Sequence, residues 1–214
     1  MSLLYSLYNL VLDALFPISS EERRLLALTP EQAYRELPHA SNVSGDTYSV
    51  FAYTDEYVRK LIWNIKYKRS AHAIKIGGYA LYQHVVARSD LATSVILIPM
   101  PITARRRRER GFNQCELLTD EIARLDTQHQ FTIHTNLLLR TTHTARQTLK
   151  NRKDRLHDAR GIFSVHEHAA TYIQQGVTLL LIDDVITTGS TMKEALETLR
   201  RAGFANVHGV SLAH

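Results

Sequence analysis

The sequence contains a single cysteine, Cys115, among its 214 residues. One cysteine excludes an intrachain disulfide, and it also excludes a zinc site built from several cysteines. The simplest compartment for such a chain is the cytoplasm. Internal repeats, low-complexity tracts and long flexible linkers are absent as well. We therefore expect one globular domain, with at most a small appendage.

Long hydrophobic runs are also missing. The one candidate for targeting, MSLLYSLYNLVLDALF at residues 1–16, is shorter than the roughly 20 residues that span a bilayer and contains Asp13. It has neither a basic leading segment nor a small-residue cleavage site. Its apolar residues recur at helical spacing, which predicts a helix that docks on the domain, or one that lies on a membrane surface or a partner. We expect no transmembrane segment.

Positive charge exceeds negative charge, with 26 Lys and Arg against 21 Asp and Glu and a formal net charge of +5. This balance favours anionic partners, either nucleic acid or phosphorylated metabolites, although it also serves solubility. The hydrophobic fraction of 44% and the charged fraction of 22% are those of an ordinary soluble globular protein.

Strand-like and helix-like segments alternate along the chain. Their order predicts an α/β fold with a mainly parallel central sheet flanked by helices. The loop SNVSGD at 41–46 is the predicted boundary between an N-terminal helical segment, 1–46, and the main domain, 47–214. Strands are predicted at 47–53, 94–101, 131–139, 161–165, 177–182 and 207–212. Helices are predicted at 55–68, at 71–88 with its middle weakened by Gly77 and Gly78, along the face Cys115, Leu118, Ile122 and Leu125, and at 192–201 with Gly203 as C-cap.

The segment LLLIDDVITTGST, residues 179–191, is the most informative stretch of the sequence. A buried strand ends there and a helix begins, and such a helix start presents unpaired backbone N–H groups and the positive end of its dipole. The hydroxyls and the glycine of the turn suit a phosphate cradle. No lysine is present, so this is not the P-loop pattern. The predicted cradle consists of Thr187, Thr188, Gly189, Ser190 and Thr191.

Two carboxylates beside a phosphate cradle need a separate reason, because they would repel the phosphate. Asp183 and Asp184 make sense if the ligand also carries neighbouring hydroxyls, since ionised carboxylates accept hydrogen bonds from a diol. A ribose 5-phosphate group has both features. The alternative is that both acids are solvated loop residues and that Thr191 only caps the helix.

The same string resembles the phosphoribosyl-pyrophosphate (PRPP) motif of the type I phosphoribosyltransferases. That resemblance implies an α/β domain with a parallel sheet, a variable hood and a flexible loop over the site. YVRKLIWNIKYKRS, IPMPITARRRRERGFNQ, RQTLKNRKDR and DDVITTGSTMKEALETLRRAG stand in the order of the ComF family, which is implicated in handling incoming DNA during competence. The likeness covers about residues 47–213. ComF proteins often carry an N-terminal cysteine-rich zinc module, and DALFPISSEERR contains no cysteine.

The resemblance also implies a pyrophosphate pocket in the turn Met100–Ala104. RRRRERG at 105–111 places five arginines within six positions on a predicted loop, which favours a nearby anion. For Arg106–Arg108 a solvated surface run is an equal alternative. The candidate residues of the pyrophosphate and basic-loop region are Lys66, Pro101, Ile102, Thr103, Arg105 and Arg110.

Residues 141–157, TTHTARQTLKNRKDRLH, are long, polar and basic for a connection, which favours a mobile functional loop. By resemblance this loop would close over PRPP. The alternative is an ordinary loop with solvated charges. Its candidate residues are Arg146, Gln147, Arg152 and Arg155.

The predicted function is that of a glycosyltransferase that moves a phosphoribosyl group from PRPP to a nucleophile and releases pyrophosphate. Mg²⁺ would arrive with the diphosphate, so no protein metal site and no zinc are expected. The pair His166 and His168 is too small a set for a metal site. The alternative is a non-catalytic protein that kept the fold and binds single-stranded DNA or a competence partner. An oligomer is compatible with the sequence.

Overall fold

The computed structural model describes residues 19–41, 45–87, 94–140, 161–166 and 177–214. Its centre is a five-stranded sheet in which every neighbouring pair is parallel, in the order β1-β7-β6-β2-β3. The predicted α/β class is therefore confirmed. The sheet strands are β1 Thr47–Phe51, β2 Val95–Pro99, β3 Phe131–Ile133, β6 Thr178–Val185 and β7 Asn206–Ala213. A separate antiparallel pair consists of β4 Leu138–Arg140 and β5 Phe163–Val165.

Most helices begin at a side chain that caps the first turn. A hydroxyl, carboxylate or amide oxygen accepts a backbone N–H of the helix in six cases. The helices are α1 Ser20–Ala27, α2 Pro30–Glu36, α3 Glu56–Trp63, α4 Ala71–Val86, α5 Ala104–Arg110, α6 Gln114–Leu125 and α7 Ser190–Arg201, and a π-helical turn, Asn64–Lys68, continues α3. The last helix, α7, starts at Gly189 and has no side-chain cap.

The strand β6 is buried on both faces, as its apolar run predicts. Leu180 and Ile182 belong to the core cluster shared with α3, α4 and most of α6. Leu179 and Leu181, which point to the opposite face, belong to a second cluster with α7 and the β4-β5 pair. The sheet therefore separates two hydrophobic layers, and the end of β6 lies at its centre.

The glycines in α4 allow close helix packing. A Cβ on Gly78 would lie 2.4 Å from Cγ of Glu121 on α6, and one on Gly77 would lie 2.9 Å from Leu118 and Leu212 side-chain atoms. The prediction that they weaken the middle of the helix therefore misses their role, because α4 runs unbroken past both of them.

Several predicted boundaries are corrected by the structure. The strand predicted at 131–139 is two strands, β3 and β4, which belong to different sheets. The helix predicted at 55–68 becomes π-helical from Asn64, and it ends at Arg69 in the left-handed conformation, with φ 48°. The C-cap of α7 is Ala202 and not Gly203, which follows it with φ 105°.

The N-terminal helices pack on the main body. Leu25, Ala33 and Leu37 are buried in the same cluster as residues of α3 and α4. The proposed boundary at residue 46 remains a prediction, and the predicted helix in residues 1–16 lies outside the described residues. Within the described ranges, no helix combines the length and apolar character that crossing a bilayer would require.

Candidate functional site

The site lies where the two central strands β2 and β6 end side by side. Pro99 pairs with Ile182 in the parallel register, so the turns that follow the two strands meet at one edge of the sheet. Ligands of open α/β sheets bind at this edge. A pocket of about 390 Å³ opens there.

Asp183 and Asp184 belong to β6 itself. The strand runs to Val185, so the expectation of a turn directly after Ile182 is wrong by three residues. Because neighbouring residues of a strand point to opposite faces, the two acids have different surroundings. Asp183 is partly exposed, whereas Asp184 is buried. Both line the pocket.

Lys66 forms an ion pair with the buried acid. Its Nζ lies 2.8 Å from Oδ2 of Asp184, with only 20% of the lysine side chain and 6% of the aspartate side chain exposed. The other carboxylate oxygen, Oδ1, accepts the backbone N–H of Val185 at 2.8 Å. Lys66 was predicted as a ligand of the diphosphate, and in the structure it faces the pocket while it neutralises Asp184.

The carboxyl of Asp183 has an unusual acidity. Although part of the side chain is open to the pocket, the surrounding protein removes most of the water around its carboxyl. This loss of solvation raises the pKa of Asp183 to about 7, and the negative charge of Asp184 adds to the shift. Its Oδ1 accepts the backbone N–H of Asp184 at 2.9 Å and the thiol of Cys115 at 3.5 Å. Ligand atoms of Cys115, Asp183 and Asp184 lie within 4.8 Å of one another. Since Lys66 already supplies the positive charge beside Asp184, we do not assign a metal to this group.

The predicted phosphate cradle, residues 187–191, lies at the start of α7. Gly189 adopts φ 75°, a conformation that favours glycine, and its carbonyl accepts the N–H of Lys193 at 2.8 Å to start α7. The N-cap of this helix makes no side-chain hydrogen bond, so its first-turn amides are left for other acceptors at this end of the pocket. The only described side-chain bond to them is long, from Ser190 N to Thr188 Oγ1 at 3.5 Å.

Four of the five predicted cradle residues line the pocket. These are Thr187, Thr188, Gly189 and Thr191. Ser190 instead lines a neighbouring cavity, although its hydroxyl lies 3.0 Å from that of Thr188.

The turn after β2 forms the opposite wall. Pro101 and Ile102 line the pocket, and Thr103 caps α5 by accepting the N–H of Arg106. The segment ARRRRER is therefore a helix and not the predicted loop. Arginine has a high helix propensity, and the threonine cap favours a helix start at this point.

The helical spacing decides which arginines of α5 reach the pocket. Arg106 and Arg110, four residues apart, lie on the same side of α5 and both line the pocket. Arg105 points away from it: its side chain is 83% exposed and pairs with Glu109 at 2.6 Å. Of the two arginines that the sequence singles out, Arg110 lines the pocket and Arg105 does not. Reading the run as a helix would have selected Arg106 instead.

Further pocket residues were not predicted. Arg140, at the end of β4, lines the pocket and stacks on the ring of Phe163, with Cζ 5.4 Å from its centroid. Tyr67 lies in the π-helical turn, and the guanidinium of Arg110 stacks on it at 5.3 Å. Tyr53, Gln114 and the backbone around Met100 complete this side. Nothing in the sequence indicates Arg140, because only the fold brings β4 to the site.

The predicted flexible-loop residues Arg146, Gln147, Arg152 and Arg155 lie outside the described residues, as does His168.

Comparison with known proteins agrees with the fold. Residues 138–214 match the phosphoribosyl transferase domain family. Competence protein F of Haemophilus influenzae is 34% identical over 118 residues, 55% of this chain and 49% of that protein. Competence protein ComFC of Bacillus subtilis is 33% identical over 110 residues, 51% of this chain and 40% of that protein. DNA utilization protein YhgH of Escherichia coli O157:H7 is 31% identical over 151 residues, 69% of this chain and 63% of that protein.

The parallel sheet and the family match over residues 138–214 show an α/β protein with a phosphoribosyl transferase domain. Together with the similarity to the competence proteins, this supports a ComF-like protein of the type I phosphoribosyltransferase family. The chain spans about half the length of the curated relatives it matches.

Proposed function

We propose that this protein binds PRPP and transfers its phosphoribosyl group to an acceptor, with release of pyrophosphate. The observation that carries the proposal is the arrangement of charge in one pocket. An uncapped helix start lies on one side, basic side chains lie on the other, and two carboxylates lie between them. This is the order of charges that complements a 5-phosphate, a ribose diol and a 1-diphosphate.

Each part of the ligand has a partner in the proposed complex. The 5-phosphate accepts hydrogen bonds from the first-turn amides of α7 and the hydroxyls of Thr187 and Thr191. The ribose hydroxyls donate to Asp183, whose carboxylate faces the pocket, and reach Asp184 only by competing with Lys66. The diphosphate lies against the turn after β2, facing Arg106 and Arg110.

The reaction needs the bond between the anomeric carbon and the diphosphate oxygen to break. The electron pair leaves with pyrophosphate, and a lone pair of the acceptor forms the new bond to that carbon. The basic side chains would stabilise the departing charge, and the carboxylates beside the ribose would stabilise the positive charge that develops on the sugar. Excluding water from the pocket would protect the sugar from hydrolysis.

Mg²⁺ fits this arrangement as a companion of the ligand. It prefers oxygen ligands and keeps several waters, so diphosphate oxygens facing the turn after β2 would hold it, and it would neutralise part of the leaving charge. Arg106, Arg110 and Arg140, which line the same pocket as Lys66, would share the neutralisation of the diphosphate with the ion.

Isothermal titration calorimetry with PRPP and Mg²⁺ tests the binding step. Asp183→Asn combined with Asp184→Asn should weaken PRPP binding strongly while it leaves inorganic pyrophosphate binding much less affected, because only the ribose contacts are removed. A pyrophosphate-release assay with candidate nucleobases tests the transfer. Unchanged PRPP affinity in the double variant would show that Asp183 and Asp184 do not bind the ribose.

A second function is favoured by the exposed arginines of α5. None of the residues in this helix is buried, and its arginines are only partly neutralised by Glu109 and Glu116. Relatives of the chain carry the names competence protein and DNA utilization protein. We propose that the protein acts in the same context and that α5 holds single-stranded DNA. Since the lone cysteine suits a reducing compartment, we place this role in the cytoplasm.

Fluorescence anisotropy with a labelled single-stranded oligonucleotide tests this second function. If α5 neutralises three phosphates, log affinity should fall with log salt with a slope of about −2. Arg108→Gln should reduce that slope without changing PRPP affinity, because Arg108 lies outside the pocket lining. Absence of DNA binding at low salt would contradict it.

A further inference from the structure

The first residues of α6 contact three separate parts of the site. The side-chain amide of Asn113 donates from Nδ2 to the carbonyl of Met100 at 3.1 Å. Gln114 accepts Nη1 of Arg110 at 2.9 Å through Oε1. Cys115 reaches the end of β6. One short segment therefore joins the pyrophosphate turn, a pocket arginine and the ribose-binding strand.

Asn113 uses both ends of its side chain. While Nδ2 binds the carbonyl of Met100, Oδ1 accepts the backbone N–H of Cys115 at 3.0 Å. The residue is only 1% exposed, and a buried amide with both ends bonded has one orientation. This ties the start of α6 to the turn after β2.

The thiol of Cys115 is a hydrogen-bond donor at physiological pH. Burial raises its pKa well above the usual value, and the charges of Asp183 and Asp184 raise it further. The protonated thiol lies 3.5 Å from Oδ1 of Asp183. A thiol is a weak donor, so Cys115 orients the Asp183 carboxylate more than it stabilises it.

Both hydrogen bonds described for the Asp183 carboxylate end on the same oxygen. Oδ1 accepts from the thiol of Cys115 and from the backbone N–H of Asp184. Two donors on one oxygen fix the plane of the carboxylate, which leaves Oδ2 for the ligand. The side chain lines the pocket, so that oxygen is where a ribose hydroxyl would donate.

We propose that Asn113 and Cys115 are positioning residues that hold the Asp183 carboxylate and the Met100 carbonyl in fixed relation, so that the ribose and diphosphate subsites stay in register. This inference rests on the proposed function. A site whose supporting contacts are fixed loses less free energy in ordering itself when the ligand binds.

The competing explanation is that Cys115 only fills space in the hydrophobic layer around Ile98 and Met192. Serine and alanine separate the two explanations. Serine keeps a donor beside Asp183 but places a polar atom among apolar neighbours, whereas alanine keeps the apolar character and removes the donor. A space-filling role predicts that alanine is the milder change, and a positioning role predicts the opposite for ligand binding.

The first experiment is calorimetry of PRPP and Mg²⁺ binding to the wild type, Cys115→Ser and Cys115→Ala, with melting curves for each. We expect Cys115→Ala to weaken binding about fivefold, and Cys115→Ser to stay within about twofold of the wild type. Asn113→Ala should weaken PRPP binding by more than Cys115→Ala does, since both of its bonds are lost. Equal affinity of wild type and Cys115→Ala would overturn the positioning role.

A second experiment needs no ligand. Since Cys115 is the only cysteine, the infrared S–H stretching band reports this one thiol. The band should shift as Asp183 ionises between pH 6 and 8, and Asp183→Asn should abolish that pH dependence. If the band position changed neither with pH nor on Asp183→Asn, the thiol would not contact Asp183. If the wild type failed to bind PRPP while the band behaved as expected, the proposed function would fall and the contact would stand.

Discussion

The ammonium group of Lys66 lies 2.8 Å from Oδ2 of Asp184, and it is the charge that makes a buried carboxylate tolerable at the end of β6. The lysine comes from the π-helical turn after α3. π-helical turns are frequent at functional sites because the extra residue redirects the following side chains. Here Lys66 and Tyr67 both line the pocket. The pair therefore links the geometry of the turn to the electrostatics of the proposed ribose site.

The first prediction concerns this ion pair. Lys66→Met leaves the Asp184 carboxylate buried without its counter-ion, so we expect the free energy of unfolding to fall by about 3 kcal/mol. Urea unfolding at pH 7.5 measures the change. PRPP binding should weaken as well, because a positive charge is lost from the pocket.

Lys66→Met combined with Asp184→Asn is the matched control. The double variant removes both charges, so most of the lost stability should return, while PRPP affinity should stay low. If the double variant were no more stable than Lys66→Met alone, the pair would not account for the loss.

The second prediction is a pH dependence that originates at Asp183. Its folded-state pKa of about 7 is raised from the usual value of 3.8 for an aspartate. A carboxyl with a raised pKa contributes stability that is complete below about pH 3.8 and is lost as pH rises through 7. The groups that face it are Asp184, Cys115 and Arg140. The charge of Asp184 opposes ionisation of Asp183, whereas the thiol of Cys115, the backbone N–H of Asp184 and the guanidinium of Arg140 favour it.

Asp183→Asn should therefore melt a few degrees higher than the wild type at pH 8, and the difference should shrink toward pH 5. PRPP affinity of the wild type should rise between pH 6 and 8, since the ionised carboxylate is the acceptor for the ribose hydroxyls. The affinity of Asp183→Asn should change less over that range. A stability difference that is the same at pH 5 and pH 8 would contradict the raised pKa.

The sequence predicts the parts of the site that follow from local pattern. The apolar run before Asp183 identifies a central strand, and the glycine at 189 identifies the helix start, because both signals lie within a few consecutive residues. Their combination places the cradle and the acids at one sheet edge without any further information.

Other parts depend on contacts between distant segments. Arg140 reaches the pocket only because β4 pairs with β5, far from the cradle along the chain. The sequence does not predict the ion-pair partner of Lys66 either, since the π-helical turn decides where the lysine side chain points. The arginine run shows a different failure. Its charge density favours a loop in the sequence analysis, but arginine has a high helix propensity and the segment is helical.

The third prediction tests the packing role of the glycines in α4. Gly78→Ala would normally favour a helix by almost 1 kcal/mol. The new Cβ would meet Glu121 Cγ and Cβ at 2.4 and 2.5 Å, so we expect a net loss of about 1–3 kcal/mol in unfolding free energy. The Cβ of Gly77→Ala would meet the side-chain ends of Leu118 and Leu212 at 2.9 Å and of Ile65 at 3.1 Å, and these ends can move. Gly77→Ala should therefore reduce the unfolding free energy by less than Gly78→Ala does. If Gly78→Ala stabilised the protein, α4 and α6 would pack less closely than they do in the structure.

The fourth prediction tests whether an arginine of α5 affects PRPP binding through its position at the pocket or only through its charge. Arg105→Gln and Arg106→Gln change the net charge equally and lie side by side, but only Arg106 lines the pocket, whereas Arg105 pairs with Glu109. We expect Arg106→Gln to weaken PRPP binding about tenfold, as the loss of one charge-assisted contact to a phosphate implies, and Arg105→Gln to have little effect. Arg140→Gln should resemble Arg106→Gln, because Arg140 lines the same pocket. Calorimetry at one ionic strength measures all three variants. If Arg105→Gln and Arg106→Gln lost PRPP affinity equally, the protein would attract PRPP through its overall charge. The diphosphate would then have no defined binding position on α5.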